Sequence, residues 1–429
     1  MKDILIKNGK VLIYKQNEIE LIKKDMLIKD GKIEKIENNI ENKQYYTINA
    51  NDKIIMPGLI NTHTHLPMSI FRQSFEGLNL MDWLNNKILP KENLLTKQDV
   101  YYATILSCIE AIQSGTTCVN DQYFYPFEIR KAIKQCKIRA VLTRGLVDDN
   151  GDDKGRIDEF KRLYNKDDEL ITYSIAPHGL YTCSPKYLHK VSELAIQYQL
   201  PVHIHYLENE EEFEKIFKLH NDKPVNILKK YFNKTHNILA HSVHLTDEDI
   251  EFIKTMKGGI SHNPISNLKL GCGIADITKY YNEEINIGLG TDGQGIGNNL
   301  NLFEVMKITC LMQNAIHNDK QTINPDIIIK MATINGAKLL NLDNKVGSIT
   351  QGKQADLIII NMSEQLNNIS IVPNINILSN LINNISNNNI ETTIVNGEIL
   401  MENREIKYID IEKIIYECNK IAERLGLSQ

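Results

Sequence analysis

Between residues 58 and 350 short β-rich runs alternate with helical ones, and this alternation narrows the fold more than any other property of the chain. Lys97 to Gln113 has helical periodicity and stops before Gly115, after which Thr116 to Val119 reads as a strand. The exchange continues through strand ELITYSIAPH, helix SPKYLHKVSELAIQYQL, strands PVHIHYLE and NILAHS, helix TDEDIEFIKTM, and strands GGISHN and INIGLGTDG. Ser184 before Pro185 suits a helix start: the hydroxyl accepts an orphan amide hydrogen, and proline has none to leave unpaired. Strands separated by helices of this length run parallel, because the helix returns the chain to the starting edge. A closed (β/α)8 barrel of the TIM type and an open doubly wound sheet both satisfy that pattern. The Gly-rich turn of the open form is missing after the first strand, so the α/β barrel is expected.

The two ends of the chain read differently. Residues 3 to 50 are short strands with turns, and Asn8-Gly9 and Asp30-Gly31 each give the hairpin signal between β-prone runs. Near the other end, Ala355 to Ile360 and IETTIVNGEILMENREI carry the same pattern, with Asn396-Gly397 repeating the signal. Neither set can bury a face alone, so the ends are expected to combine into one small β-sandwich. The expected division is 1–57 for the first part of the sandwich, 58–350 for the catalytic barrel, and 351–429 for the rest of the sandwich plus a terminal helix. That helix, Asp410 to Leu425, is amphipathic and is assigned to docking.

Bulk properties exclude several function classes. A formal net charge of -5, with scattered lysines, provides no basic stripe for a phosphate backbone, so no nucleic-acid partner is expected. The seven cysteines form no CxxC pair, which suits free thiols in a reducing compartment. The N-terminal residues alternate in polarity, and no run of 18 apolar residues occurs, so a cytoplasmic protein without a membrane partner is expected. Homo-oligomerisation is left open.

The residues suited to chemistry sit at strand ends. Ile54 to His65, IIMPGLINTHTH, closes a strand on His63 and His65, which alternation turns to one side. His203-Ile-His205-Tyr-Leu-Glu208, Ala240-His241-Ser242 and Gly290-Thr-Asp292-Gly293 close three more. In a barrel these ends converge on one mouth, where His63, His65, His205 and Asp292 can share one ion. Three imidazoles and a carboxylate suit zinc or another divalent first-row ion and suit magnesium poorly. Each fragment alone also fits a plainer role: a hydrogen-bonded histidine, or an aspartate capping the next segment. Glu208 lies just past its strand, where a carboxyl group reaches a substrate without ligating. As a solvated helix-start acid it would resemble Glu210 to Glu212, whose position suits the positive end of a helix.

The motifs PGLINTHTHLPM, HIHYLENEEE, AHSVHLTDEDI, SHNPISNLKLGCGI and GLGTDG resemble the amidohydrolase superfamily, most closely its methylthioadenosine/S-adenosylhomocysteine deaminases, over nearly the whole chain. The resemblance implies a metal-dependent hydrolase barrel with a β-sandwich from both termini. It implies one Zn2+ per subunit, or another divalent transition ion such as Fe2+, on His63, His65, His205 and Asp292. Glu208 would carry a proton to the purine ring nitrogen, His241 would orient the attacking hydroxide, and Asp292 would pass on its proton. It places Glu92 and His178 at the ribose, and Arg156 at a homocysteine carboxylate, where a guanidinium clamps well. Trp83, the single tryptophan, would pack in the core or wall the ligand. The expected reaction is hydrolytic deamination of S-adenosylhomocysteine, methylthioadenosine, adenosine or 5'-deoxyadenosine. The alternatives are hydrolysis of another heteroaromatic amine or halide, such as guanine or a chlorotriazine, and a non-catalytic binding barrel. One departure from the family pattern, Gly293-Gln294-Gly295-Ile296-Gly297, falls beside the expected ion and bears on which ring fits.

Overall fold

The computed structural model describes residues 2–16, 18–149, 152–318, 323–362 and 376–427. Among the described residues, eight strand positions of a parallel barrel occupy the centre: Leu59–Thr64, Thr116–Tyr123, Arg139–Leu146, Ile171–Tyr173 continued by the short Ala176–Pro177, Val202–Tyr206, His236–His241, Lys257–His262 and Ile287–Leu289. They form two hydrogen-bonded arcs. Ile175 pairs with Val202 and Gly179 with His205 at one seam. At the other, the Asp292 amide donates to the His63 carbonyl at 3.0 Å and the Thr62 hydroxyl to the Leu289 carbonyl at 2.9 Å. The sheet is therefore closed, which removes the open doubly wound alternative. Ile60, Cys118, Val141 and Ile238 pack with Leu339 in one cluster within this framework. A filled barrel works at its ends, and here the C-terminal strand ends hold the polar residues.

Local signals set the helices around it. Thr96 and Asp99 make a reciprocal capping box at Lys97–Gln113, and Thr246 and Asp249 make another at Asp247–Thr255. Ser184 caps Pro185–Tyr198 through the Tyr187 amide, with proline at the first position as expected.

The chain ends build one nine-stranded mixed sheet. Lys53–Pro57 runs antiparallel to Leu357–Asn361, and this pairing joins the N-terminal strands to the C-terminal ones. The sheet folds over a core that includes Ile6, Val11, Met26, Ile55, Leu357 and Ile394, giving a β-sandwich. Its far tip returns on itself: Ala355 donates to the Gly31 carbonyl and Ile33 to that of Lys353, both at 2.9 Å.

Two of the three expected hairpins form. Asp30-Gly31 and Asn396-Gly397 take left-handed backbone in two-residue turns, flanked by Lys29 opposite Lys32 and Val395 opposite Glu398. Asn8-Gly9 does not turn the chain. The strand Ile4–Lys15 runs through it with a shift of register between Ile6 and Gly9. Asp25 accepts the Asn8 amide at 3.0 Å and so holds the kink. A β-carbon at Gly9 would stand 2.4 Å from Ile55, so the glycine serves close approach in a bulge.

Sandwich and barrel are joined by a buried ion pair. Arg139 meets Asp356 through Nε at 2.7 Å and Nη2 at 3.0 Å, each side chain only 2% exposed. The terminal helix Ile411–Arg424 buries Ile414, Cys418 and Ile421, and its Arg424 reaches Asp99 at the start of Lys97–Gln113. Among the described residues no helix is long and apolar enough to cross a membrane.

Candidate active site

Four strand ends bring the expected residues together. His63 and His241 are buried at the mouth of the barrel, each with an Nε2 that has no hydrogen-bond partner. Asp292 sits among the imidazoles, its Oδ1 3.6 Å from His63 Nε2 and 3.4 Å from His65 Nε2. His205 Nε2 lies 3.3 Å from His65 Nε2. Nitrogen and oxygen donors thus converge on one point, in groups that include His63, His65 and Asp292, and His63, His205 and His241. Such a cluster is positioned to chelate a divalent metal ion. Unpartnered buried donors are what an ion would satisfy, since burying them alone is costly.

The remote nitrogens are fixed. His65 Nδ1 donates to the Gln122 carbonyl and His205 Nδ1 to that of His178, both at 2.6 Å, which turns each Nε2 lone pair inward. Burial pushes His63 down to about 3 and His205 well below the ordinary histidine range, so both are neutral and able to donate a lone pair. Burial works to raise the Asp292 carboxyl, but His63, His65 and His241 together outweigh it and hold the group well below the usual carboxylate range. The Ser266 hydroxyl donates to its Oδ2 and the Gly293 amide to its Oδ1, both at 2.6 Å.

Glu208 is 5% exposed and lies 3.5 Å from His241 Nδ1. Burial first, and the charge of Asp292 second, push it up to about 8. Burial thus favours its protonated form beside the cluster. The His241 Nδ1 hydrogen goes to Asn267 Oδ1 at 2.8 Å, leaving Nε2 facing Asp292.

A cavity of about 490 Å³ opens over this cluster, and Glu92, Arg156, His178, Trp83, Glu208 and Asp292 all line it. Glu92 accepts the Tyr123 hydroxyl, and burial raises its carboxyl. His178 lines the wall while its carbonyl orients His205. Trp83 is buried against the cavity with its indole N–H unpartnered. Arg156 lies at the same wall, donating to the Asp153 and Val147 carbonyls at 2.9 and 3.3 Å.

Several further participants take roles that the sequence pattern does not assign. His203 Nε2 lies 2.8 Å from His63 Nδ1 and so holds the ring with Nε2 toward the cluster. Its place two residues before His205, on the same face, was the available clue. Arg144 lines the cavity beside Arg156 and pairs with Glu159 at 2.6 Å. Glu212 is not a solvated helix-start acid: it is 1% exposed and accepts the amides of Leu207 at 3.0 Å and Glu208 at 2.8 Å. It holds the loop that carries Glu208, while Glu210 and Glu211 stay in solvent. Gln294 does not reach the cavity either. Its amide accepts from Ser107 and donates to Glu110, both at 3.0 Å, and the loop offers Ile296 to the cavity instead.

An Amidohydrolase family model matches residues 54–400. The chain is 39% identical over 431 residues to the 5-methylthioadenosine/S-adenosylhomocysteine deaminase of Thermoanaerobacter pseudethanolicus, covering 99% of each. It is 39% identical over 416 residues to the 5'-deoxyadenosine deaminase of Methanocaldococcus jannaschii, covering 94% of this chain and 97% of that one. Its structure matches an adenosine deaminase from Xanthomonas campestris with bound zinc at a TM-score of 0.93 and 27% identity, over 100% and 99% of the two chains. The chain belongs to the amidohydrolase family and, within it, to the group of methylthioadenosine/S-adenosylhomocysteine deaminases.

Proposed function

We propose that the chain is a metal-dependent aminohydrolase that removes the 6-amino group of adenine nucleosides, releasing ammonia and an inosyl product. The observation that carries this reading is Glu208, a buried carboxylic acid with its pKa pushed up to about 8 on the wall of the cavity that the metal-binding cluster floors. The curated relatives deaminate nucleosides by name, which supports the same reaction class.

In this reading residues 58–350 form the catalytic unit, and the two chain ends brace it. His63, His65, His205 and Asp292 would hold one ion, with zinc favoured by three nitrogen donors and one oxygen. When bound, such an ion supplies hydroxide near neutral pH and Lewis acidity at the reacting carbon. The chain's own residues do the rest. Glu208 delivers its proton to N1, which makes C6 electrophilic. His241 faces the nucleophile with Nε2 and orients it. Asp292, held ionised, takes the nucleophile's proton and passes it to the departing amino group. Glu92 accepts from ribose hydroxyls and His178 closes that wall. Arg156, with Arg144 beside it, meets a carboxylate on the 5' substituent.

The test is ammonia release by zinc-loaded protein from adenosine, 5'-deoxyadenosine, methylthioadenosine, S-adenosylhomocysteine, guanine and a chlorotriazine, with Glu208→Gln as control. Turnover confined to adenine nucleosides and lost in the control is expected. Turnover of guanine or the chlorotriazine alone would overturn the assignment.

A further inference from the structure

Gln122 has no place in the mechanism above, yet its setting is that of a ligand-binding group. It is 2% exposed and lies near the C-terminal end of strand Thr116–Tyr123. Its carbonyl is occupied by His65 Nδ1 at 2.6 Å, which pins the backbone beside the metal-binding cluster. Its side chain is not occupied: neither Oε1 nor Nε2 has a hydrogen-bond partner. A buried carboxamide with both ends unpaired is unfavourable in the empty protein unless something else meets it.

The cavity supplies the something else. Gln122 lines it together with His65, Gly145 and Glu208. The side chain is set against the neighbouring strand, where a β-carbon added to Gly145 would stand 3.7 Å from Gln122 Cγ and 3.9 Å from Nε2. The Gly145 side of the Gln122 side chain is therefore not filled by a neighbouring side chain on that strand. An amide N–H can donate to the lone pair of an aromatic ring nitrogen. An adenine ring offers three such nitrogens at its edges. Glu208 takes N1 in the reaction proposed here, which leaves N3 and N7.

We propose that Gln122 is a substrate-binding residue whose Nε2 donates to a purine ring nitrogen, N3 or N7. The inference rests on the adenine-nucleoside reading and deepens it. A donor at either nitrogen withdraws electron density from the ring under attack and rejects heterocycles that carry C–H at that position. A site built to pair a polar group discriminates strongly against the analogue that lacks it, because its own group is then left unmet.

The experiment compares adenosine, 3-deazaadenosine and 7-deazaadenosine in the zinc-loaded wild type and in Gln122→Met, which keeps length and loses the donor. Taking each analogue's kcat/KM ratio to adenosine, and then comparing the two proteins, cancels the intrinsic reactivity of the rings. One deaza analogue is expected to lose about 10-fold or more in the wild type beyond its loss in the variant, the size of one hydrogen bond. Which analogue responds assigns N3 or N7. Dissociation constants for inosine and its 3-deaza and 7-deaza counterparts, measured without turnover, should show the same difference. Metal content per chain reports whether the variant has disturbed His65. Equal ratios in the two proteins, in both kinetics and binding, overturn the proposal. If the variant does not fold, equal binding of inosine and both deaza products by the wild type does the same. Silence of the wild type toward every adenine nucleoside is a different outcome, and removes the functional reading itself.

Discussion

In the terminal sheet, the two tight turns put left-handed backbone on Asp30-Gly31 and Asn396-Gly397, whereas at the barrel mouth it falls on Leu207, His241, Ser242 and Asp292. Asn, Asp and Gly tolerate that conformation, and a two-residue hairpin requires it. Leu, His and Ser gain nothing locally, and strained residues of this kind cost about 1–3 kcal/mol each. The mouth also gathers unpartnered nitrogens on His63 and His241, 3.6 and 4.0 Å from an ionised Asp292. The sheet is locally consistent, while the mouth is held in place by everything around it. Stability and chemistry are thus separated along the barrel axis, and substitutions should separate the same way.

The largest effect should come from the cluster. His63→Ala or Asp292→Ala is expected to lower kcat by more than about 10⁴-fold, beyond the range of a single acid-base group, and to strip the ion. Metal analysis after dialysis checks it, and an unchanged melting temperature in the metal-free state would show that the mouth adds little to folding.

Glu208→Gln should lower kcat by about 10²- to 10⁴-fold with the ion retained. The wild-type rate needs the protonated acid, so it should fall as pH rises past about 8, the value to which burial and Asp292 raise Glu208. A cation in the cluster draws that break lower. Its disappearance in Glu208→Gln is the informative result, and a break that persists would assign the proton to another group.

Arg139→Met tests the opposite end. It leaves Asp356 buried without its charged partner, with only the Asn396 amide still donating to the carboxylate, and should cost about 3–5 kcal/mol in denaturant unfolding while kcat per folded molecule holds. An equal loss of activity per folded molecule would collapse the separation of the two ends.

His203→Leu should weaken metal binding about 10- to 100-fold by freeing the His63 ring, and His203→Gln, which keeps an acceptor, should restore most of it. The smallest and most selective change is Arg156→Met. A loss of about 10- to 100-fold in kcat/KM is expected for S-adenosylhomocysteine alone, the scale of one charged hydrogen bond. An equal loss with adenosine would remove the contact from the 5' end.

The same contrast explains what was legible in the sequence. Strand and helix periods give the barrel, and alternation places His63 with His65 and His203 with His205, because these signals are local. Asp30-Gly31 was readable for the same reason. Asn8-Gly9 carried the same dipeptide signal and became a bulge, since Asp25 and Ile55, both distant in sequence, decide what happens there. Glu212 looked solvated because a run of acids opening a helix usually is, and only the return of the chain over Leu207 buries it. Arg144, Gln122 and the true direction of Gln294 depend on contacts between strands and helices that no periodicity encodes.

The pairing of Lys53–Pro57 with Leu357–Asn361 has a consequence for how the molecule comes into being. Partners roughly 300 positions apart must find each other, so this contact forms late and its loop-closure entropy is met only after the barrel has condensed. During synthesis at about 5–20 residues per second, the apolar edge of Ile54 to Met56 waits tens of seconds without its neighbour. Asp356 arrives just before that strand, so Arg139 is paired only late in synthesis. The ion pair then acts as a latch that closes only once the barrel and the returning strand have met.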